Sequence, residues 1–413
     1  MRILIHGINF SPELTGIGKY TGELAQWLAQ HGHDVRVITS PPYYPYWLVQ
    51  KPYRAWKYKR ELLEGVTIYR CPLWVPRRPT AVTRIIHLVS FALSSLPVAL
   101  RHVTWRPHIV FTVEPTLFGV TVAALVAKLA GAKSWLHVQD LELDAAMGLG
   151  MVAGGVVARM VRGSERWLMG RFDRISSISG AMLNRLQEKG VAADRLVEFL
   201  NWVDTTDIRP IDSADLLRNE WGIPKAARVI LYSGNIGKKQ GLEVVLQIAE
   251  KMAGTRPDVL FLIVGDGVAR RELEQRATDL KLSNVQFKPL LPAERLSSLL
   301  SLADVHLVLQ RRGAADLVMP SKLAAILASG GVSLVTADKD TELYRLVHGN
   351  KLGLVVDAES VPAIMSGLEQ LLDDEKMRHS FQKNGRQYAE AELDKSVILN
   401  RFQGLVEKLA AET

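Results

Sequence analysis

Hydrophobic positions along the chain switch between two spacings, and the switching predicts the fold class. Residues 2–6 are a short apolar run, read as a buried strand. Tyr20, Leu24, Trp27 and Leu28 then recur at i, i+4, i+7 and i+8, one face of a helix. His31-Gly32-His33-Asp34 stops that helix, and Val35-Arg36-Val37-Ile38 reads as a second strand. Further apolar strand candidates lie at 109–113, 134–138 and 174–178, with a helical segment at 117–130. A polar turn at 201–204, followed by Arg209-Pro210, closes this half. The second half restarts the same grammar. Its strands are expected at 228–232, 259–264, 285–287, 305–309, 332–336 and 353–356. Helical patterns at 241–252, 269–280, 292–302, 321–329, 340–347 and 360–373 separate them.

Strands alternating with helices call for parallel sheets covered on both faces. The expected architecture is two doubly wound, Rossmann-like α/β domains facing each other, 1–203 and 204–385. The chain from about 376 is charged and helical, and its part 386–413 is expected to pack back on the first domain. Ligands in such sheets bind beyond the carboxyl ends of the strands, so an interdomain cleft is the default site.

Composition sharpens this picture in two places. A single cysteine, Cys71, excludes an internal disulfide and a cysteine-rich metal centre. The opening residues read as a strand, not as a basic-then-apolar leader. The net charge of +8 is uneven: residues 1–200 hold 24 Lys/Arg against 14 Asp/Glu, residues 201–413 hold 27 against 29. Between Arg36 and Arg106 stand twelve basic residues and two acids, Glu61 and Glu64. Such a surface suits nucleic acid, anionic lipid or phosphorylated substrates. No RNA or DNA module accompanies it. Aromatics, basics and prolines interleave here, followed by Ile85–Leu100 without a fixed charge. Sixteen residues fall short of the roughly 20 needed to span a bilayer, and Pro97 interrupts them. A buried helix and a helix lying in a membrane interface both fit.

Candidate chemistry sits at four strand–loop–helix junctions. They are Thr15-Gly16-Ile17-Gly18-Lys19; Tyr232-Ser233-Gly234-Asn235-Ile236-Gly237-Lys238-Lys239; Val264-Gly265-Asp266-Gly267; and Gln310-Arg311-Arg312-Gly313 running into Pro320-Ser321-Lys322. Glycines, an amide and cations at helix starts suit an anion. Arg312 and Lys322 can neutralise phosphate. A dinucleotide-binding oxidoreductase is the rival. Gly16 and Gly18 fit its Gly-x-Gly-x-x-Gly fingerprint, but Thr21 occupies the third glycine position.

In this order, on two α/β halves, the segments resemble the retaining family-four glycosyltransferases of GT-B fold, and within them the colanic-acid biosynthesis group. The stretches GINFSPELTGIGKYTGE, RVITSPPYYPYW, HVQDLELDAAMGLG, LYSGNIGKKQGLE and RGAADLVMPSKL carry the resemblance, which covers nearly the whole chain. It implies a transferase using a nucleotide-diphosphate sugar, GDP-fucose favoured over a UDP-sugar. The acceptor would be a polyprenyl-diphosphate-linked saccharide of an exopolysaccharide. A nucleotide-sugar-binding protein without catalysis is the other reading.

The resemblance also implies roles. Gly16 and Gly18 would approach the donor diphosphate; Gly234, Asn235, Lys238, Lys239, Arg312, Ser321 and Lys322 would hold it. Lys239 and Arg312 would stabilise charge on the leaving group. Gly265, Asp266, Gly267, Leu290 and Leu291 would border the base. His137 and Asp140 would face sugar and acceptor. Two departures stand out: the family's glutamate pair is missing, with Ala325 at the ribose-binding position and Asp316 the sole acid near its partner's, and Asn235 replaces the family's usual Arg of the second segment. Asp140-x-Glu142-x-Asp144 invites a metal, but the resembled fold is typically metal-independent, so neither metal nor cofactor is expected. A lipid-linked acceptor would place the enzyme in the cytoplasm, peripheral on the inner leaflet of the membrane. Tyr43, Tyr44, Trp47, Arg54, Trp56 and Lys57 would dock there, with Ile85–Leu100 as an apolar ledge.

Overall fold

The computed structural model describes the chain except residues 14–15, 115–116, 141–155, 212–213, 238–239, 313–319 and 413. It forms two compact units, Met1–Leu200 with Leu399–Thr413, and Asn201–Ile398.

Unit 1 is built on an eight-stranded sheet: β1 (Arg2–His6), β2 (Asp34–Thr39), β3 (Lys59–Leu63), β4 (Val66–Arg70), β5 (Ile109–Glu114), β6 (Lys133–Val138), β7 (Arg174–Ser177) and β8 (Leu196–Glu198). Their order is β3-β4-β2-β1-β5-β6-β7-β8. All neighbours run parallel except β3, which pairs antiparallel with β4. Helices α1 (Gly16–Gln30), α2 (Ala81–Arg101), α3 (Leu117–Ala130), α4 (Val156–Met169) and α5 (Gly180–Glu188) connect them. The alternation of β4, with Val66, Ile68 and Arg70 buried, shows why it sits inside the sheet.

α2 starts on a capping box in which Thr80 and Thr83 satisfy each other's backbone N–H groups. At 21 residues it is longer than the uncharged run suggested, and it reaches spanning length by size and composition. Its inner face, with His87, Phe91, Ser95, Val98 and Ala99, is buried in the core of unit 1. Val82, Ile86, Leu93 and Leu100 point outward and are exposed.

Unit 2 carries a six-stranded, all-parallel sheet: β9 (Arg228–Ser233), β10 (Val259–Val264), β11 (Val285–Lys288), β12 (Val305–Val308), β13 (Ser333–Thr336) and β14 (Gly353–Val356). Their order is β11-β10-β9-β12-β13-β14. Every residue of β10 is buried, as a central parallel strand requires. The helices are α6 (Asp215–Glu220), α7 (Glu243–Thr255), α8 (Arg270–Asp279), α9 (Leu296–Ser301), α10 (Ser321–Ala328), α11 (Glu342–Gly349), α12 (Val361–Asp373) and α13 (Glu375–Tyr388). The last helix, α14 (Lys395–Ala411), begins in unit 2, and its residues from Leu399 belong to unit 1. There Phe402 stacks on Phe199 at 4.2 Å and meets Phe111 and Trp135 edge-on.

The strand order reverses at β9, which lies between β10 and β12. A crevice opens at such a switch point, outside the carboxyl ends of the strands. The loops that leave β9, β10 and β12 there are three of the four junctions singled out in the sequence.

Candidate functional site

In unit 2 the three loops are bonded into one surface. Gly234 donates its N–H to the Val264 carbonyl at 2.9 Å, and Ile236 donates to Asp266 O at 2.8 Å. Ala269 N–H returns to Ile236 O at 3.0 Å. Contact is so close that no side chain fits at two positions. A Cβ on Gly265 would lie 1.9 Å from the Gly234 oxygen, and one on Gly267 would lie 2.3 Å from Ile236 O. Both have φ near +153°. Arg270 fastens the far side, donating to the carbonyls of Gly265 and Lys288. Asp266 is exposed and accepts from the Gly267 N–H at 2.7 Å. Beside it lies a cavity of about 460 Å³ lined by Asp266, Gly267, Val268, Arg270, Arg271 and Glu274.

Lys322 enters this surface from the first turn of α10. Its stem is partly exposed, but Nζ is buried, with no hydrogen-bond partner among the described residues. The ammonium sits 3.7 Å from the centroid of the Tyr232 ring. A Cβ on Gly234 would lie 3.4 Å from it. Burial pulls its pKa down from 10.5 to about 7. Tyr232 itself is fixed by its hydroxyl donating to Asn235 O at 2.6 Å. The Asn235 side chain lies between Gly237 and Gly267. Ser321 is exposed at the start of α10, whose cap, Pro320, offers no side-chain acceptor. Leu323 N–H turns back to the Pro320 carbonyl at 2.9 Å, which leaves the N–H groups of Ser321 and Lys322 as the ones an anion would take.

Arg311 pairs with Glu243 at the start of α7, while Arg312 is exposed. Leu290 is exposed, and Leu291 packs against the core beneath. Ala325 is half-buried against the α10 side of the core. Lys238, Lys239 and Asp316 lie outside the described residues. Gly234, Asn235, Gly265, Asp266, Gly267 and Lys322 are thus brought together. Arg270, which shapes the same surface, was not among the sequence candidates, and Tyr232 stood in the second junction without a role.

Unit 1 corrects several expectations. His137 is a core side chain, not a group facing ligand. It is 3% exposed, bonded through Nδ1 to Ser176 Oγ at 2.9 Å and packed between Phe111 and Phe199. Burial drives its pKa to about 3, so the imidazole is neutral. Tyr43 is also buried, against Trp47 and His87, so it cannot dock at an interface. Trp47 is half-buried on the same core. Gly18 lies buried in the first turn of α1, where a Cβ would come within 2.7 Å of Glu13. Its small size serves packing, and Gly18 does not present open backbone. Gly16 is exposed at the helix start with φ +62°. Asp140 is exposed beyond β6; burial chiefly, then the charge of Glu13 and last that of Asp140, raise the pKa of Tyr44. Tyr44, Arg54, Trp56 and Lys57 are exposed as expected.

Glu13 is a site residue the sequence did not advertise. It is 2% exposed and accepts from Asn9 Nδ2 at 2.9 Å and from the N–H groups of Tyr43 and Tyr44 at 3.0 and 2.9 Å. The carboxylate ties the turn before α1 to the loop after β2. Burial raises its pKa against those bonds.

Residues 15–202 match the glycosyl transferase 4-like domain and residues 213–388 the glycosyl transferases group 1 domain. A putative colanic acid biosynthesis glycosyl transferase, WcaI of Escherichia coli K12, is 46% identical over 97% of this chain and 98% of its own. The N-acetyl-alpha-D-glucosaminyl L-malate synthase of Bacillus anthracis is 19% identical over 96% of this chain and 95% of its own. Among solved structures, sucrose-phosphate synthase from Thermosynechococcus elongatus superposes with a TM-score of 0.77 at 16% identity, covering 100% of both chains. Anabaena HepE, in complex with UDP and glucose, gives a TM-score of 0.70 at 15% identity, covering 99% of this chain and 100% of that one.

Proposed function

Because the chain belongs to the glycosyltransferases of GT-B fold, we propose that unit 2 holds a nucleotide-diphosphate sugar on the Gly234–Gly267–Lys322 surface. The sugar passes, with retention of configuration, to a polyprenyl-diphosphate-linked saccharide in colanic-acid-like exopolysaccharide synthesis. The observation that carries the donor site is Lys322. Its buried ammonium has an aromatic face on one side and no hydrogen-bond acceptor among the described residues, at the N-terminus of a helix. A diphosphate supplies the missing negative charge.

The difficult event is departure of the nucleoside diphosphate. Positive charge and fixed N–H dipoles placed where the leaving oxygens gain charge lower that barrier. In this reading Lys239 and Arg312 provide the charge, assisted by Lys322 and the α10 N-terminus. The acceptor oxygen bonds to the anomeric carbon on the face the diphosphate leaves, the bond from that carbon to the diphosphate oxygen breaks, the hydroxyl proton passes to that oxygen, and Asp140 orients the acceptor. No metal enters. GDP-fucose is the favoured donor, as the resemblance to the colanic-acid group implies, and UDP-sugars are the alternative, since HepE is described in complex with UDP and glucose. The enzyme works in the cytoplasm, peripheral on the inner leaflet.

Thermal-shift titration with GDP-, UDP- and dTDP-sugars identifies the donor. Arg312→Ala and Lys239→Ala are each expected to lower turnover at least about tenfold; losses under about threefold in both would overturn the charge assignment. A second reading, a nucleotide-sugar-binding protein without catalysis, is favoured by Ala325 at the ribose-glutamate position. Turnover with the identified donor and a lipid-linked acceptor separates the two.

A further inference from the structure

Unit 1 holds a cavity of about 490 Å³ whose lining includes Tyr53, Arg54, Lys57, Lys59, Arg60 and Arg70. Its wall is built, not a chance cluster of surface charge. Arg70 is 1% exposed and donates to the carbonyls of Ser40 and Ser11 at 3.0 and 2.6 Å. The Tyr53 ring lies under two cations, Lys59 at 4.5 Å and Arg70 at 4.7 Å. Glu61, the acid beside them, is bonded to Lys59 at 2.7 Å and paired with Arg70. Burial pushes the Glu61 carboxyl up, but these two cations outweigh it and hold it below the usual range. Its negative charge is therefore engaged by Lys59 and Arg70. Arg54, Lys57 and Arg60 make no ion pair with any described residue. Arg54 and Arg60 rest instead on the faces of Trp56 and Tyr69. Three neighbouring cations without a counter-charge repel one another, and an anion of two or more charges relieves this.

The cavity also has an apolar neighbour. Tyr58, another of its lining residues, donates its hydroxyl to the Ser94 carbonyl of α2 at 2.9 Å. The preceding residue on that helix, Leu93, is 67% exposed and belongs to the outward row Val82, Ile86, Leu93 and Leu100. Cationic cavity and bare hydrocarbon row therefore lie side by side. Together they match one kind of molecule: a phosphate or diphosphate attached directly to a hydrocarbon chain.

We propose that this cavity binds the phosphate or diphosphate of the lipid-linked acceptor, with the adjoining hydrocarbon lying along Leu93 and Leu100 of α2. The proposal rests on the reading that the acceptor is lipid-linked. Arg54, Lys57 and Arg60 grip the anion, and the satisfied Arg70–Glu61–Lys59 group keeps the wall rigid.

The test is binding to the full-length chain, by calorimetry, of geranyl diphosphate, geraniol and inorganic pyrophosphate. The wild type is expected to bind geranyl diphosphate at least tenfold more tightly than either of the other two. Arg54→Glu/Lys57→Glu/Arg60→Glu is expected to weaken it at least tenfold with an unchanged melting temperature. Should charge reversal impair folding, Arg54→Ala/Lys57→Ala replaces it, with a loss of at least fivefold expected. Binding within threefold of wild type in the variant overturns the proposal. So does pyrophosphate binding as tightly as geranyl diphosphate, which marks a plain anion site. Loss of binding to anionic vesicles with geranyl diphosphate binding intact marks a headgroup patch and also overturns it. Absence of sugar transfer while geranyl diphosphate binding holds counts against the transferase reading alone and supports the cavity.

Discussion

Lys322 shows how much a single side chain can determine. An ammonium without an acceptor favours its neutral form, because burial penalises charge. Its pKa of about 7 in the folded chain lies below its ordinary 10.5. Between those values the unfolded chain carries the extra proton, so this group makes stability rise with pH from 7 to 10.5. Below about 7 the full cost of the buried charge is present. Lys322→Met is expected to remove that slope and to raise the melting temperature at pH 7 by at least about 2–4 °C, the shift that 1 kcal/mol gives in a domain of this size. Thermal melts across the pH range check both. Donor binding should behave oppositely: wild-type affinity for a nucleoside diphosphate falls as pH rises above 7, while Lys322→Arg keeps it flat. Sequence placed Lys322 beside phosphate because it follows a helix-starting Pro-Ser; its seat on Tyr232 was not legible, since an aromatic inside a strand reads as core. His137 erred the other way. Its polarity suggested chemistry, yet it shares a sheet face with Trp135, and Ser176 bonds both rings.

Elements were more legible than residues. Most strand candidates fall within a residue of the observed bounds, because buried parallel strands announce themselves as unbroken apolar runs. The β3–β4 hairpin escaped because its region was read by its prolines, aromatics and charges. The signal was present: Glu64 and Gly65, both at positive φ, form a two-residue turn between Leu63 and Val66. Turn geometry also yields a contrast within unit 2. Gly265→Ala forces a side chain onto the Gly234 carbonyl and should abolish nucleotide binding while lowering the melting temperature. Gly254→Ala, in α7 with open space around it, should stabilise by about 0.4–1 kcal/mol. Equal effects from the two would refute the role given to loop contact. On α2, Ile86→Glu/Leu93→Glu should leave the melting temperature unchanged yet reduce co-sedimentation with anionic vesicles at least fivefold. Binding that survives the substitution would exclude this face as the membrane contact.

At the scale of the molecule, periodicity sufficed for two α/β units, since a 2-then-3.6 rhythm repeated along the chain leaves few other folds. A polar turn at 201–204 put the boundary between residues 203 and 204, and the structure divides the chain at Leu200 and Asn201. Partition of charge is likewise a whole-chain property: the positive excess lies in the first 200 residues. Vesicle binding should therefore weaken steeply between 50 and 500 mM salt, roughly as screening lengths shorten. Turnover in excess EDTA should stay within twofold of the untreated enzyme; its loss, restored by Mg²⁺ or Mn²⁺, would assign a metal to the reaction.

Phe402 gives the molecule a timetable. A chain made from its N-terminus forms segments in order, yet the aromatic seat of Phe111, Trp135 and Phe199 waits for a ring just over two hundred residues downstream of Leu200. Unit 1 cannot complete this core before Phe402 emerges, and until then it offers an open hydrophobic notch to any chaperone or neighbouring chain.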